Sequence, residues 1–151
     1  MSGNEIVDEG GEQMAKVASV REGRWRVLIV DDAETSIIAQ KMMLGSREYD
    51  FIVARTGREA IALAEQFRPD VILLDVMMPN VSGFRVCERL KQTAETCHIP
   101  VIMVTAANEL VHAKTAQLYG FEDFLTKPID REELRGKIQK YIGVGARGEA
   151  G

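Results

Sequence analysis

Val71-Ile-Leu-Leu-Asp-Val-Met-Met-Pro79 decides how the chain folds. Four consecutive large apolar residues end abruptly at an acid, and a proline follows four residues on. A strand with one wet face would alternate apolar and polar side chains, so an unbroken apolar run implies burial on both faces. The same grammar recurs outward from this stretch. Val27-Leu-Ile-Val30 runs into Asp31-Asp32, Phe51-Ile-Val-Ala54 precedes Arg55, and Val101-Ile-Met-Val104 follows Pro100 and ends at Thr105. A fifth strand is expected over Phe121 to Leu125.

Helical spacing fills the gaps. Asp31 to Leu44 reads as a helix with Gly45 just past its end. Gly57 to Phe67 carries Ala60, Ala64 and Phe67 on one face before Pro69. Gly83 to Gln92 carries Phe84, Cys87 and Leu90, Ala107 to Tyr119 stops at Gly120, and Asp130 to Ile142 buries Leu134, Ile138, Tyr141 and Ile142. Asp130 with Glu133 has the form of a capping box. Five strands alternating with five helices predict an α/β fold, a doubly wound five-stranded parallel sheet covered on both faces.

The 151 residues fit one domain with tails, large enough to hold a core without disulfide or metal. Residues 1–24, with four glycines and scattered charge, are expected to be a flexible extension, with a short helix around Glu12–Val20; 25–142 form the domain; 143–151, with four glycines in nine residues, a flexible tail or truncated linker. A net charge of −4 argues against general binding to nucleic acid or to an anionic membrane. There is no membrane-length apolar stretch and no secretory signal, and Cys87 and Cys97 have no zinc or redox spacing, so a cytoplasmic location with free thiols is expected.

Chemistry in such a sheet collects outside the carboxyl ends of its strands. Those positions hold Asp31, Asp32, Asp75, Thr105 and Lys127, the last followed by Pro128. Singly they could be a helix cap, a turn residue and a solvated charge. Together they crowd three carboxylates at one edge, which is costly without a cation. Hard oxygen ligands suit Mg²⁺ and disfavour zinc or copper. A carboxylate beside that cation can attack phosphorus, with an ammonium and a hydroxyl on the phosphoryl oxygens.

The motifs Val27-Leu-Ile-Val-Asp-Asp32, Ile72-Leu-Leu-Asp-Val-Met-Met-Pro79 with Gly83, Val104-Thr-Ala106 and Phe124-Leu-Thr-Lys-Pro128 resemble those of a response-regulator receiver domain of two-component signalling, over about Arg26 to Ile142. The resemblance implies strand order 2-1-3-4-5, Asp75 as phosphoacceptor, and a Mg²⁺ site of Asp31, Asp32, Asp75 and the backbone carbonyl of Met77. It further implies Thr105 and Phe124 as switch residues, Lys127 as phosphate contact, and a cis Lys127–Pro128 bond. It implies a non-enzymatic signalling domain phosphorylated by a sensor histidine kinase or phosphotransfer protein. Its output would run through the fourth helix, fifth strand and fifth helix to a protein partner or a second copy, with Leu110, Val111, Ala113, Leu118 and Phe124 as apolar candidates there.

Two positions depart from the family pattern: Ser82 replaces the acid common before the glycine, and Phe124 lacks a tyrosine's hydroxyl. Three competing readings are weaker. A haloacid-dehalogenase-like phosphatase wants a second Asp where Met77 stands, and a dinucleotide or flavin module wants a Gly- or Ser/Thr-rich loop in place of Asp31-Asp32-Ala33-Glu34. An unphosphorylated interaction module has no use for the complete acidic set. A receiver cut from a larger kinase or effector protein stays open.

Overall fold

The computed structural model describes residues 5–6, 23–106 and 118–142. Its elements are β1 (Glu5–Ile6), β2 (Trp25–Val30), α1 (Glu34–Leu44), β3 (Tyr49–Ala54), α2 (Gly57–Phe67), β4 (Val71–Asp75), α3 (Gly83–Gln92), β5 (Val101–Ala106), β6 (Asp123–Lys127) and α4 (Arg131–Tyr141). All strands pair in parallel, in the order β1-β3-β2-β4-β5-β6. The five long strands therefore take the expected 2-1-3-4-5 arrangement.

Alternation along each strand splits the core into two layers. Leu28, Val30, Ile72 and Leu74 face Ala60, Leu63 and Phe67 of α2 and Val86, Cys87 and Leu90 of α3. Val27, Ile29, Val71 and Leu73 face Ile37 and Leu44 of α1 and Leu134 and Ile138 of α4. Both faces are thus apolar, as the unbroken runs require. The crowded small residues Ala60 and Ala64 let α2 lie close on the sheet, and burying each large aliphatic contributes roughly 1.5–3 kcal/mol.

Helix ends follow local chemistry. Thr56 accepts from Glu59 N at 3.1 Å, Ser82 from Phe84 N at 3.1 Å, and Asp130 from Glu133 N at 2.9 Å. Glu133 pairs forward with Lys137 at 3.2 Å.

Several boundaries differ from the sequence expectation. α1 begins at Glu34 because Asp31 is still tied to the sheet, its N–H donating to Ala54 O at 3.0 Å. The last strand starts at Asp123, two residues late, while Phe121 is buried beneath α3 before it. Inside the expected flexible extension, Glu5–Ile6 pairs with Phe51–Ile52 as an edge strand, and Arg24 binds Asp50 at 2.9 Å. The expected helix around residues 12–20, residues 107–117 of the fourth expected helix and the tail 143–151 lie outside the described residues; Leu118 and Tyr119 are helical. No helix among the described residues is long and apolar enough to cross a membrane.

Candidate functional site

Parallel pairing brings the carboxyl ends of β2, β4, β5 and β6 to one edge. Asp31 follows β2 and is 1% exposed; its Oδ1 accepts from Ala33 N at 2.9 Å. Its Oδ2 lies 3.4 Å from Lys127 Nζ. Asp75 is the last residue of β4, 5% exposed, and its Oδ1 lies 3.6 Å from the same ammonium. Asp32 stands exposed beside them, and the three carboxylates offer oxygens that all lie within 4.8 Å of one another. Lys127 closes β6, in register with Ala106.

Thr105 sits one residue beyond Val104, the register partner of Asp75, and is 1% exposed. Its hydroxyl donates to Ala106 O at 3.3 Å. Phe124 is different in kind. It is 36% exposed on β6, with Lys137 Nζ 5.3 Å from the ring centre and donating to Phe124 O at 2.6 Å. Met77 follows in the loop with its thioether exposed, and the Lys127–Pro128 bond is cis. Leu118 is exposed; Leu110, Val111 and Ala113 lie outside the described residues.

Three carboxylates against one ammonium leave local negative charge uncompensated. Burial pushes the Asp75 carboxyl up to about 6, the Asp31 charge adds to the rise, and Lys127 and the Met77 backbone N–H oppose it. This is the electrostatic signature of a site that a small cation would relieve. The donors are hard oxygens, and no thiolate or imidazole belongs to the cluster among the described residues. The set therefore fits Mg²⁺.

The structure gives Gly83, which the sequence offers only as part of a motif, a steric reason. A Cβ on Gly83 would lie 2.2 Å from Asp75 O and 2.9 Å from Val76 Cα, and Gly83 N donates to Val76 O at 2.8 Å. Only glycine lets α3 start against the strand end that carries Asp75. Ser82, where the family pattern has an acid, serves as the cap of that helix.

A doubly wound parallel sheet with a buried aspartate, two flanking acids, a hydroxyl and a lysine at one edge defines a receiver-type signalling domain. The family model for the response regulator receiver domain matches residues 27–139, and the chain belongs to that family, the receivers of two-component systems. It is 39% identical over 117 residues to Protein PilH of Pseudomonas aeruginosa, covering 78% of this chain and 97% of PilH. It is 40% identical over 114 residues to the response regulator PleD of Caulobacter vibrioides, covering 76% of this chain but 25% of PleD. Among solved structures, the receiver domain of a sensor histidine kinase from Pseudomonas aeruginosa, with a magnesium ion coordinated in its active site cleft, superposes with a TM-score of 0.68 at 28% identity. The match covers 80% of this chain and 98% of that one.

Proposed function

We propose that the domain is a cytoplasmic phosphoacceptor in which Asp75 takes a phosphoryl group from a phosphohistidine of a sensor kinase or phosphotransfer protein. The observation that carries this is Asp75 itself, a buried carboxylate at a strand end with an ammonium at 3.6 Å and two further carboxylates beside it. Asp31, Asp32 and Asp75, with the Met77 carbonyl, would hold Mg²⁺, which when bound offsets charge on the phosphoryl oxygens.

Without the cation, burial raises the Asp75 carboxyl to about 6, so it is already mostly ionised at pH 7, and a bound Mg²⁺ would favour the carboxylate further. One carboxylate oxygen attacks phosphorus. The bond from phosphorus to the donor's imidazole nitrogen, or to the acetate oxygen of acetyl phosphate, breaks with its electron pair leaving on the donor. Lys127 follows the new negative charge with its flexible ammonium. Thr105 exchanges its bond to Ala106 O for one to the phosphoryl oxygens. Its displacement frees space toward which Phe124 turns from its exposed position, altering the face around Leu118, Phe124 and α4 for a partner protein or a second copy. The domain itself turns over no substrate beyond gaining and losing its own phosphoryl group.

The match to PleD, which covers a quarter of that protein's length, supports a second reading in which this domain regulates an attached effector. Incubation of wild type and Asp75→Asn with acetyl phosphate, with Mg²⁺ or EDTA, tests the site by intact mass. One phosphoryl adduct is expected in wild type with Mg²⁺ alone. Equal labelling of Asp75→Asn would overturn the assignment.

A further inference from the structure

Beside the acidic edge, the N-terminal half of α2, the loop after β4 and the outer face of α3 enclose an open groove of about 710 Å³. Its floor is apolar, from Ile61, Val81 and Val86, the first two partly buried against the core. Val81 and Val86 pack directly over Gly57, where a Cβ would meet Val81 Cγ1 at 2.5 Å and Val86 Cγ2 at 2.8 Å, so the glycine lets both valines settle into the floor. Its walls carry Arg58, Arg85 and Arg89, and no carboxylate lines it. Arg85 reaches Glu88 only at 3.4 Å, with both side chains open to solvent. Among the described residues Arg58 and Arg89 enter no ion pair. Three cations thus converge over an apolar seam on a chain whose net charge is −4.

Arg85 and Arg89 stand one helical turn apart on α3 and line the seam together with Arg58 of α2, a spacing that two carboxylates one turn apart on a bound helix would match. We propose that this groove docks an acidic amphipathic segment of a partner protein. Its apolar side chains would fill the seam and its carboxylates would pair with Arg58, Arg85 and Arg89, a helix-in-groove mode with charge complementarity on the rim. None of the elements that build the groove carries Phe124 or Leu118, so the surface is separate from the face named above. Pro79, Asn80 and Val81 of its wall belong to the loop that follows Asp75, so the occupant lies beside the phosphoacceptor strand without touching it. The docking does not depend on the phosphoacceptor role of Asp75.

The test uses the full chain and a short fluorescein-labelled peptide with glutamates one helical turn apart beside a leucine stripe. A glutamine-for-glutamate control peptide and ATP accompany it. The expected result is saturable binding by the glutamate peptide alone, weakening with salt, with amide shifts at Gly57, Ile61, Val81 and Arg85. The triple variant Arg58→Glu, Arg85→Glu, Arg89→Glu should bind at least about tenfold more weakly and should instead take a lysine version of the peptide. Arg58→Ala, at an exposed position, gives a milder loss should the triple variant unfold. No binding, equal binding of the glutamine control, undiminished affinity in the variants, or shifts confined to other elements would overturn the proposal. So would ATP displacing the peptide from the same amides, which would make the groove a nucleotide site.

Discussion

Replacing Asp75 by asparagine removes a buried charge that the metal-free fold holds at a cost. Its carboxyl is raised from 3.8 to about 6, chiefly by burial and then by the Asp31 charge. At 1.36 kcal/mol per unit, ionised Asp75 disfavours the folded state by roughly 3 kcal/mol. The amide must still be accommodated in the same buried place, so a net gain of about 1–3 kcal/mol is expected for Asp75→Asn in EDTA at pH 8, a rise in Tm of roughly 3–10 °C. The pH dependence has a definite sign. Because the folded value lies above the unfolded one, the folded state binds the extra proton between pH 3.8 and about 6, and wild-type stability falls as pH rises through that window. The variant lacks this fall. The two proteins should therefore be of similar stability near pH 4 and diverge by pH 7, in urea unfolding followed by circular dichroism. Saturating Mg²⁺ should narrow the gap, since ligand at a hundredfold excess over Kd adds about 2.7 kcal/mol to wild type. An asparagine variant less stable than wild type at pH 8 in EDTA, or a gap that does not change with pH, would refute the electrostatic account of the site.

Gly83→Ala should destabilise by about 3 kcal/mol or more and depress acetyl-phosphate labelling in whatever folds, because the added methyl would overlap Asp75 O and cannot be relieved by a side-chain rotation; urea unfolding and intact mass read the two effects. Lys127→Ala should fold and bind Mg²⁺ at least as well as wild type, losing an ammonium that sits 3.4 and 3.6 Å from two carboxylates. Its Tm increment from beryllofluoride should shrink, and an unchanged increment would make Lys127 a bystander. Thr105→Ala should still accept phosphate, but beryllofluoride should move the amides of Leu118 and Phe124 less than in wild type.

The strands and most of the helices were legible because their signal is local. Val71–Leu74 is apolar on both faces wherever it is placed, and α2 and α3 have the spans that periodicity predicts. The fifth strand was misplaced because its start is polar. Asp123 begins it, with its carboxylate held by Phe124 N, Lys137 and Tyr141, partners that only the tertiary fold supplies. Glu5–Ile6 is too short for any period to show, and its pairing with Phe51 depends on an edge that exists only once the sheet is built. Buried Asp50 was likewise invisible, since Arg24, twenty-six residues away, is what makes it tolerable there. At the site, the residue types at the strand ends were readable. The clearance that Gly83 provides was not, because it is a distance between two segments rather than a property of either. The arginine-lined groove was missed for the same reason, with Arg58 on one helix and Arg85 and Arg89 on another.

The most direct test of the central claim is to find where the phosphoryl group goes. Wild type loaded with acetyl phosphate and Mg²⁺, then reduced with borohydride, should yield homoserine at position 75 in the peptide spanning Val71 to Arg85, with Asp31 and Asp32 recovered intact. Reduction at Asp31 or Asp32, or label on a residue elsewhere while Asp75 survives unmodified, would contradict it.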